Sequence, residues 1–298
     1  MNRRDFGRAA LGLGTAVILP AGLTACATAG SSGGGRVVAV DTHAHVFHRG
    51  LPFVPNRRYT PDYDALPADY AAVLDANGMS HGVIIPISIL GTNNDYTVEC
   101  IRASGGRLRG LAVVDPETDI ARLDGLAAAG IVGIRLNLIG KPVPDARSGA
   151  WRELFAACAK LDWQVEVYDD ARRLPQLLTP LLDTGVKVVV DHFGKPSVEQ
   201  GIDDPGFRYL LGLGRSRQVW VKLSAPYRSS DAICAAAAPL LRASFGPERL
   251  LWGSDWPHTG FEGKVRYATL RAQLDEWVPD PAERRIVLAD TPARLFRF

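Results

Sequence analysis

Two of the chain's six histidines stand two positions apart, at the end of the apolar stretch VDTHAHVF. In a β-strand, residues i and i+2 point to the same face, so His43 and His45 would project into one space. Two imidazoles that converge in this way are typical of a metal site or of a catalytic pair at the mouth of a barrel. The alternative is a chance pair at the solvated end of a strand.

Polar residues also follow other apolar stretches of the chain. The run VVVDHFG contains Asp191 and His192, and RLLWGSDWP contains Ser254 and Asp255, with His258 just beyond. Further members of this set are Ser88, Arg135, Asn137, Glu166, Tyr168, Lys222, Ser224, Tyr227 and Arg228. A single strand-end aspartate often caps a helix, and a single histidine is often structural. So many polar residues at the ends of apolar runs indicate one shared catalytic site.

The elements that would hold these residues alternate in type along the chain. Short β-branched stretches predict strands, and between them alanine and leucine recur at helical spacing, as in AWRELFAACAKL. Near-continuous apolar strands are typical of parallel sheets that are buried on both faces. The predicted strands cover residues 37–47, 81–88, 108–115, 130–138, 164–170, 187–194, 219–225 and 249–257.

Eight β/α units in about 260 residues predict a TIM (β/α)8 barrel, whose catalytic residues lie at the carboxyl ends of the strands. A doubly wound sheet is the alternative. That fold requires a glycine-rich phosphate-binding turn after its first strand, where this chain has DTHAH instead.

Composition and charge exclude several functional classes. The 298 residues are 47% hydrophobic and 22% charged, which is typical of a globular protein. Lys and Arg number 34 against 32 Asp and Glu, a net charge of +2, so no nucleic-acid partner is predicted. The four cysteines, Cys26, Cys100, Cys158 and Cys234, lack the short paired spacing of a disulfide framework or a zinc finger.

Residues 1–26 predict an export signal. The sequence RRDF precedes a moderately apolar run that is too short and glycine-rich for a membrane span, as in a twin-arginine signal peptide. The segment LTAC that ends at Cys26 resembles a lipobox, in which this cysteine would be lipidated. Ordinary cleavage after the small-residue triplet ACA, residues 25–27, is the alternative. Residues 27–36 then predict a flexible linker, and residues 37–298 the barrel.

The predicted export signal also implies interaction partners and a cellular location for the protein. The export machinery would be one partner, and a membrane would be contacted only through the lipid anchor on Cys26. The protein would be periplasmic, or a lipoprotein anchored on the outer side of the inner membrane or in the outer membrane.

Several motifs in order resemble the amidohydrolase superfamily, which uses a distorted TIM barrel. More narrowly, the chain is similar to the 2-pyrone-4,6-dicarboxylate hydrolase branch, which also includes sugar-lactone and muconolactone hydrolases. The segments that carry the resemblance are DTHAHVF, RRYTPDYDA, GLAVVDP, GIRLN, VVVDHFGKP, VWVKLSAPYR and LWGSDWPH. They run from about residue 37 to the C-terminus.

The resemblance implies a hydrolysis that proceeds without a metal. Metal-dependent members add a lysine on strand four or a histidine on strand five, where this chain has Arg135 and Tyr168. No cofactor is therefore favoured. If one divalent metal such as zinc is bound, its ligands would be His43, His45, His192 and Asp255.

The resemblance also implies individual roles. Asp255 would activate water, and His43, His45 and His192 would polarise the substrate carbonyl. The predicted substrate-binding residues are Tyr59, Ser88, Arg135, Asn137, Lys141, Tyr168, Arg228 and His258. Lys141 stands where the branch has a second arginine, and the segment APYR also differs from the corresponding segment of the branch. The expected substrate is a small anionic lactone.

The sequence therefore predicts an exported hydrolase of a small carboxylated cyclic ester, of the lactone or pyrone dicarboxylate type. Two alternatives remain open. One is a zinc-dependent lactonase or decarboxylase of the same superfamily. The other is a tethered protein that binds a carboxylate without turnover.

Overall fold

The residues described by the structure, a computed structural model, are 36–298. The predicted signal peptide, the Cys26 lipidation site and the linker up to residue 35 lie outside them. None of the helices between residues 36 and 298 combines the length and apolar character needed to cross a membrane.

Eight parallel strands form one sheet, in which neighbours in sequence are neighbours in space. The strands are β1 (Val40–Ala44), β2 (His81–Ile84), β3 (Leu108–Ala112), β4 (Ile131–Asn137), β5 (Gln164–Tyr168), β6 (Lys187–Val190), β7 (Val219–Ser224) and β8 (Leu250–Gly253). Strands β1 and β8 close the sheet, because the His45 amide donates to the Trp256 carbonyl at 2.7 Å and the Asp255 amide donates to the His43 carbonyl at 2.8 Å. The predicted TIM barrel is confirmed, and the open doubly wound sheet is excluded.

Helices follow the strands on the outside of the barrel. They are α1 (Pro67–Ala76), α2 (Asp95–Ala103), α3 (Leu123–Ala128), α4 (Gly149–Lys160), α5 (Leu174–Leu182), α6 (Pro205–Gly212), α7 (Asp231–Phe245), α8 (Tyr267–Trp277), α9 (Pro281–Arg285) and α10 (Thr291–Phe296). A π-helical turn, Ile286–Asp290, joins the last two.

Two of the helices that follow site-bearing loops, α6 and α7, begin at side-chain caps. Asp204 accepts a hydrogen bond from the Gly206 amide at 2.8 Å where α6 begins. Ser230 accepts one from the Ile233 amide at 3.1 Å where α7 begins. Such caps satisfy amides that the first turn of a helix leaves unpaired, and they fix where the loops after β6 and β7 end.

The barrel interior is apolar at one end and polar at the other. Its apolar layer consists of Val40, Val83, Ile85, Leu111, Val132, Val189 and Leu251, with Leu295 and Phe296 of α10 packed against it. Along β6, Val189 of this layer lies two residues before Asp191, and side chains two apart share one face of a strand. The same inward face therefore changes from packed core to charged site toward the carboxyl end.

The three cysteines of the described region are buried and free. Burial raises the pKa of Cys100 to about 11 and that of Cys158 to about 12. Thiols with such high pKa values are unreactive, so these residues act as small apolar side chains of the core.

Candidate active site

A chamber opens at the carboxyl ends of the strands, on the side where the sequence predicts the site. Its volume is about 70 Å³. The chamber is lined by His45, Arg58, Tyr59, Ile87, Ser88, Arg135, Asn137, Tyr168, His192, Arg228, Asp255 and Thr259. Three arginines and one carboxylate stand in this lining, so an anion would be attracted to it.

Asp255 is held by partners on both of its carboxylate oxygens. Its Oδ2 accepts hydrogen bonds from Arg228 Nε at 2.6 Å and from the Tyr227 hydroxyl at 2.8 Å, and its Oδ1 lies 3.2 Å from His45 Nε2. Burial acts to raise the pKa of Asp255, but Arg228 and the hydrogen bond to His45 outweigh it, and the pKa lies well below its usual range. Asp255 is therefore ionised at neutral pH.

The contacts of His45 limit where its protons can be. Its Nδ1 lies 2.8 Å from the Ile85 carbonyl, which can only accept, so Nδ1 carries a proton. Its Nε2 faces the ionised Asp255, which also only accepts. Either Nε2 is protonated as well and His45 is an imidazolium, or a cation bridges Nε2 and the carboxylate.

His43 lies beneath the chamber and is fully buried. Its Nδ1 is 3.1 Å from Lys222 Nζ, which can only donate. Burial and the Lys222 ammonium lower the pKa of His43 well below its usual range, although Asp191 opposes this. His43 is thus neutral. Its Nδ1 also lies 3.3 Å from Asp191 Oδ1, which can only accept, and 3.4 Å from Glu166 Oε1, and its Nε2 lies 3.6 Å from Asp255 Oδ1.

A buried network of charges surrounds His43. Lys222 is fully buried, contacts Glu166 Oε2 directly and lies 3.4 Å from Asp191 Oδ1. Arg135 Nη2 lies 3.5 Å from Asp191 Oδ2. Burial and the neighbouring Asp191 raise the pKa of Glu166, whereas the cations oppose that rise. Burial also acts to raise the pKa of Asp191, but Lys222 and His43 hold it well below its usual range.

His192 follows β6 on a strained segment of backbone. Its φ is 50°, and Asp255 has a φ of 59°. Left-handed conformations are uncommon outside glycine and tend to occur at functional sites. The Nδ1 of His192 lies 2.8 Å from the Ser224 hydroxyl, and burial lowers the pKa of His192 to about 4. This imidazole is therefore neutral and has its other nitrogen available to the chamber.

A glycine gives His43 the room it occupies. A Cβ added at Gly253 of β8 would come within 2.6 Å of His43 Cβ. Real Cβ atoms do not approach this closely, so any side chain at Gly253 would displace His43. The glycine of the GSDWPH segment therefore allows β1 and β8 to close around the histidine.

The chamber collects six of the eight predicted substrate-binding residues, namely Tyr59, Ser88, Arg135, Asn137, Tyr168 and Arg228. Lys141 instead lines an adjoining groove. His258 is buried behind the chamber, with its ring centroid 6.1 Å from that of Tyr227. Burial lowers the pKa of His258 to about 4, so it is a neutral side chain there. Of the predicted catalytic residues, His45, His192 and Asp255 line the chamber, and His43 supports it from below.

The predicted catalytic and substrate-binding residues leave out several side chains that shape the site. Glu166, Asp191 and Lys222 form the charge network under His43, and Tyr227 holds Asp255. The sequence places these residues at the ends of strands, which indicates that they lie near the site. Their spacing does not indicate which charges pair across the barrel. Thr259 also lines the chamber. It lies in the loop after β8, so no position at a strand end indicated that it belongs to the site.

The donor set also fits one divalent cation. His43, His45 and Asp255 offer three ligand atoms that lie within 4.8 Å of one another, and so do His43, Asp191 and His192. The Nε2 of His43 has no hydrogen-bond partner in the described region. Three protein ligands with an open fourth position are the pattern of a catalytic zinc site.

The closed barrel and the histidine and aspartate site at its mouth define a class of enzyme. The family model described as amidohydrolase matches residues 40–298, and the chain belongs to the amidohydrolase family. It is therefore an enzyme, and its relatives include named hydrolases.

Two relatives show which part of the family is similar. A 2-pyrone-4,6-dicarboxylate hydrolase from Comamonas testosteroni is 34% identical over 274 residues, covering 87% of this chain and 90% of its own length. A 4-sulfomuconolactone hydrolase from Hydrogenophaga intermedia is 30% identical over 270 residues, covering 86% of this chain and 88% of its own length.

A solved structure resembles the barrel over its full length. An Acinetobacter baumannii protein, provisionally assigned as a 2-pyrone-4,6-dicarboxylic acid hydrolase and solved with citric acid bound, superposes with a TM-score of 0.84. It is 36% identical, and the match covers 88% of this chain and 100% of that chain. The resemblance to this branch that the sequence motifs indicate is confirmed.

Proposed function

We propose that the protein hydrolyses a small carboxylated cyclic ester of the lactone or pyrone dicarboxylate type. The observation that carries the proposal is an ionised Asp255 that faces His45 and His192 in a chamber with three arginines. Relatives named for pyrone dicarboxylate and sulfomuconolactone support a cyclic, anionic substrate. A structural relative was solved with citric acid bound, which supports a carboxylated ligand.

In this mechanism Asp255 accepts a proton from the attacking water. Its lowered pKa keeps it ionised but makes it a weak base while Arg228 is paired with it. A substrate carboxylate that shares the Arg228 guanidinium would weaken that ion pair. The pKa of Asp255 would then rise when an anionic substrate binds, which brings the base closer to the operating pH.

The carbonyl of the ester is polarised by imidazole donors. His192 is neutral, and a proton on its Nε2 would follow if the Ser224 hydroxyl donates to Nδ1. His45 supplies a second positive group beside Asp255 when it is an imidazolium. Donors fixed in place where negative charge develops stabilise the transition state of acyl transfer. Tyr59 and Tyr168, which also line the chamber, would orient the ring and its carboxylates.

Nuclear magnetic resonance on a panel of carboxylated and sugar lactones tests the proposed reaction. We expect a ring-opened hydroxy acid as the product, with one oxygen from labelled water in the new carboxylate. One relative, 30% identical, is named a D-galactarolactone isomerase. A product that keeps its lactone ring and carries no label would indicate isomerisation and would overturn the proposal.

The choice between a metal-free site and a zinc site rests on charge. Lys222, Arg135 and Arg228 already face Glu166, Asp191 and Asp255, three cations against three carboxylates. A divalent ion would add uncompensated positive charge to this buried network. Zinc held by His43, His45 and Asp255 remains the second candidate, because these ligands fit one. It would supply a Lewis acid for a lactonase or decarboxylase.

Exhaustive chelation should leave kcat and KM unchanged, with metal well below one equivalent per chain by elemental analysis. The reason is that an imidazolium at His45 and the arginines of the chamber already provide positive charge at the site. A tightly held zinc at one equivalent, with activity lost on its removal and restored by zinc alone, would establish the second candidate instead.

Replacing Arg228 with Met should move the acid limb of the kcat/KM profile to higher pH. That limb reports the pKa of the base in the free enzyme, and Arg228 lowers it. Removing the cation raises the pKa of Asp255, so activity is lost earlier as the pH falls. Arg58→Met is the matched control, because Arg58 lines the chamber without an ion pair to Asp255. Equal displacement of the limb in both variants would contradict the assignment.

We further propose that the enzyme is exported through a twin-arginine signal and lipidated at Cys26. The sequence RRDF, the apolar run and the segment LTAC support this proposal. Replacing Arg3 and Arg4 with Lys should leave precursor in the cytoplasm, as fractionation and immunoblotting would detect. Cys26→Ser should release the mature protein from membranes. Normal export of the first variant, or unchanged membrane association of the second, would remove the respective part.

A further inference from the structure

A large apolar groove adjoins the chamber on one side. It lies between the loops after β2, β3 and β4, and its volume is about 640 Å³. Ser88, Arg135 and Asn137 line both the groove and the chamber, so the two spaces meet at these residues. A ligand held by the chamber can therefore extend past them without leaving the protein surface.

The chamber alone is too small for a whole substrate. Sites for small molecules usually measure about 300–1,000 Å³, and a water molecule occupies about 30 Å³ of liquid. The chamber's 70 Å³ matches a reacting group and its water, whereas the groove's 640 Å³ is of ligand size. The groove shares three residues with the chamber, so the remainder of a larger substrate can extend into it.

The lining of the groove selects for an apolar group. Prolines, valines and leucines dominate it, with Val113, Val143 and Trp151 only partly buried and thus available for contact. Its charged residues are Arg135, which it shares with the chamber, Lys141, Asp115 and Asp145, two cations against two carboxylates. This balance gives no attraction for a second anion, in contrast to the three arginines of the chamber.

We propose that the groove binds an apolar substituent of the substrate. The substrate would be a carboxylated lactone with an alkyl or aryl side chain, rather than a bare pyrone dicarboxylate. The lactone part of this inference rests on the proposed function. The reacting ester group and a carboxylate lie in the chamber, and the side chain lies across Ser88 and Asn137 against Val113, Val143 and Trp151.

Binding of unreactive alkylsuccinates, measured by calorimetry on the mature protein, tests the groove without requiring turnover. Burial of one methylene contributes about 0.8 kcal/mol, so Kd should fall about 4-fold for each carbon added from succinate to hexylsuccinate. Val143→Trp should remove this dependence and leave the Kd of succinate unchanged. Val143→Asn, which keeps the groove open and makes it polar without adding charge, should do the same.

Val198→Trp is the control, since Val198 is 65% exposed and lies outside the groove. A Kd that does not depend on chain length would overturn the inference. So would groove variants that weaken succinate and hexylsuccinate equally.

The proposed function and the groove assignment can each be refuted without refuting the other. Hydrolysis of unsubstituted lactones without any chain-length dependence would leave the proposed function intact and remove the groove assignment. Chain-length-dependent binding in a protein that opens no lactone would keep the groove and remove the proposed function.

Discussion

Asp255→Asn should lower kcat by about 10²- to 10⁴-fold, the usual contribution of a positioned general base. The substitution keeps the shape of the side chain but removes its negative charge. Asp255 is the ionised carboxylate of the chamber. Within the described region, the only hydrogen-bond partner of its Oδ1 is His45. Steady-state kinetics on any lactone that the native protein opens would measure the effect.

The matched control for this substitution is Asp64→Asn, which removes an exposed carboxylate paired with Arg49. It should leave kcat within about 2-fold of the native value, because a surface ion pair contributes little. Loss of the Asp255 charge also leaves Arg228 without its partner, so thermal unfolding must show that the variant is folded. Near-normal turnover by folded Asp255→Asn would require a different base.

Lys222→Met should lower the free energy of unfolding by about 3–5 kcal/mol, the usual cost of removing one partner from a buried ion pair. The lysine is fully buried and contacts Glu166 and Asp191. Its removal leaves two carboxylates in the barrel facing only Arg135. Urea unfolding at neutral pH would measure the loss.

The control for this prediction is Lys187→Met, at the other end of the barrel. Lys187 forms an ion pair with Asp162 whose members are 33% and 67% exposed. Its removal should cost less than about 1 kcal/mol. The double variant Lys222→Met, Glu166→Gln should regain part of the lost stability, because the glutamine carries no charge to leave unpaired. Equal losses in the two lysine variants would show that the buried network does not stabilise the fold.

Much of the fold follows from sequence periodicity. Apolar β-branched runs mark all eight strands, and the polar residues after them lie at one mouth because parallel strands end on the same side. The predicted strands extend beyond the observed ones at several carboxyl ends. The run 249–257, for instance, pairs as a strand only over Leu250–Gly253. Beyond Gly253 the chain turns away, with Asp255 at a φ of 59°.

The pairing of charges could not be read from the sequence in the same way. Arg228 was expected to bind a substrate carboxylate, yet in the structure its Nε donates to Asp255. That contact depends on the turn after β7, where Ala225 has a φ of 47°, and no periodicity specifies such a turn. The position of Lys141 in the groove depends likewise on the path of the long loop between β4 and α4. Loop paths are set by contacts between segments distant in sequence.

The central claim is that the chamber opens anionic lactones. Its most direct test compares kcat/KM for a lactone that bears a ring carboxylate with kcat/KM for the same lactone as its uncharged amide, in the native protein and in Arg135→Met. A charge-assisted hydrogen bond is worth about 1.5–3 kcal/mol, so the native protein should prefer the acid by at least about 10-fold. Arg135→Met should lose most of that preference while its rate on the amide changes little. Equal rates on acid and amide in the native protein, or no ring opening of either, would contradict the account.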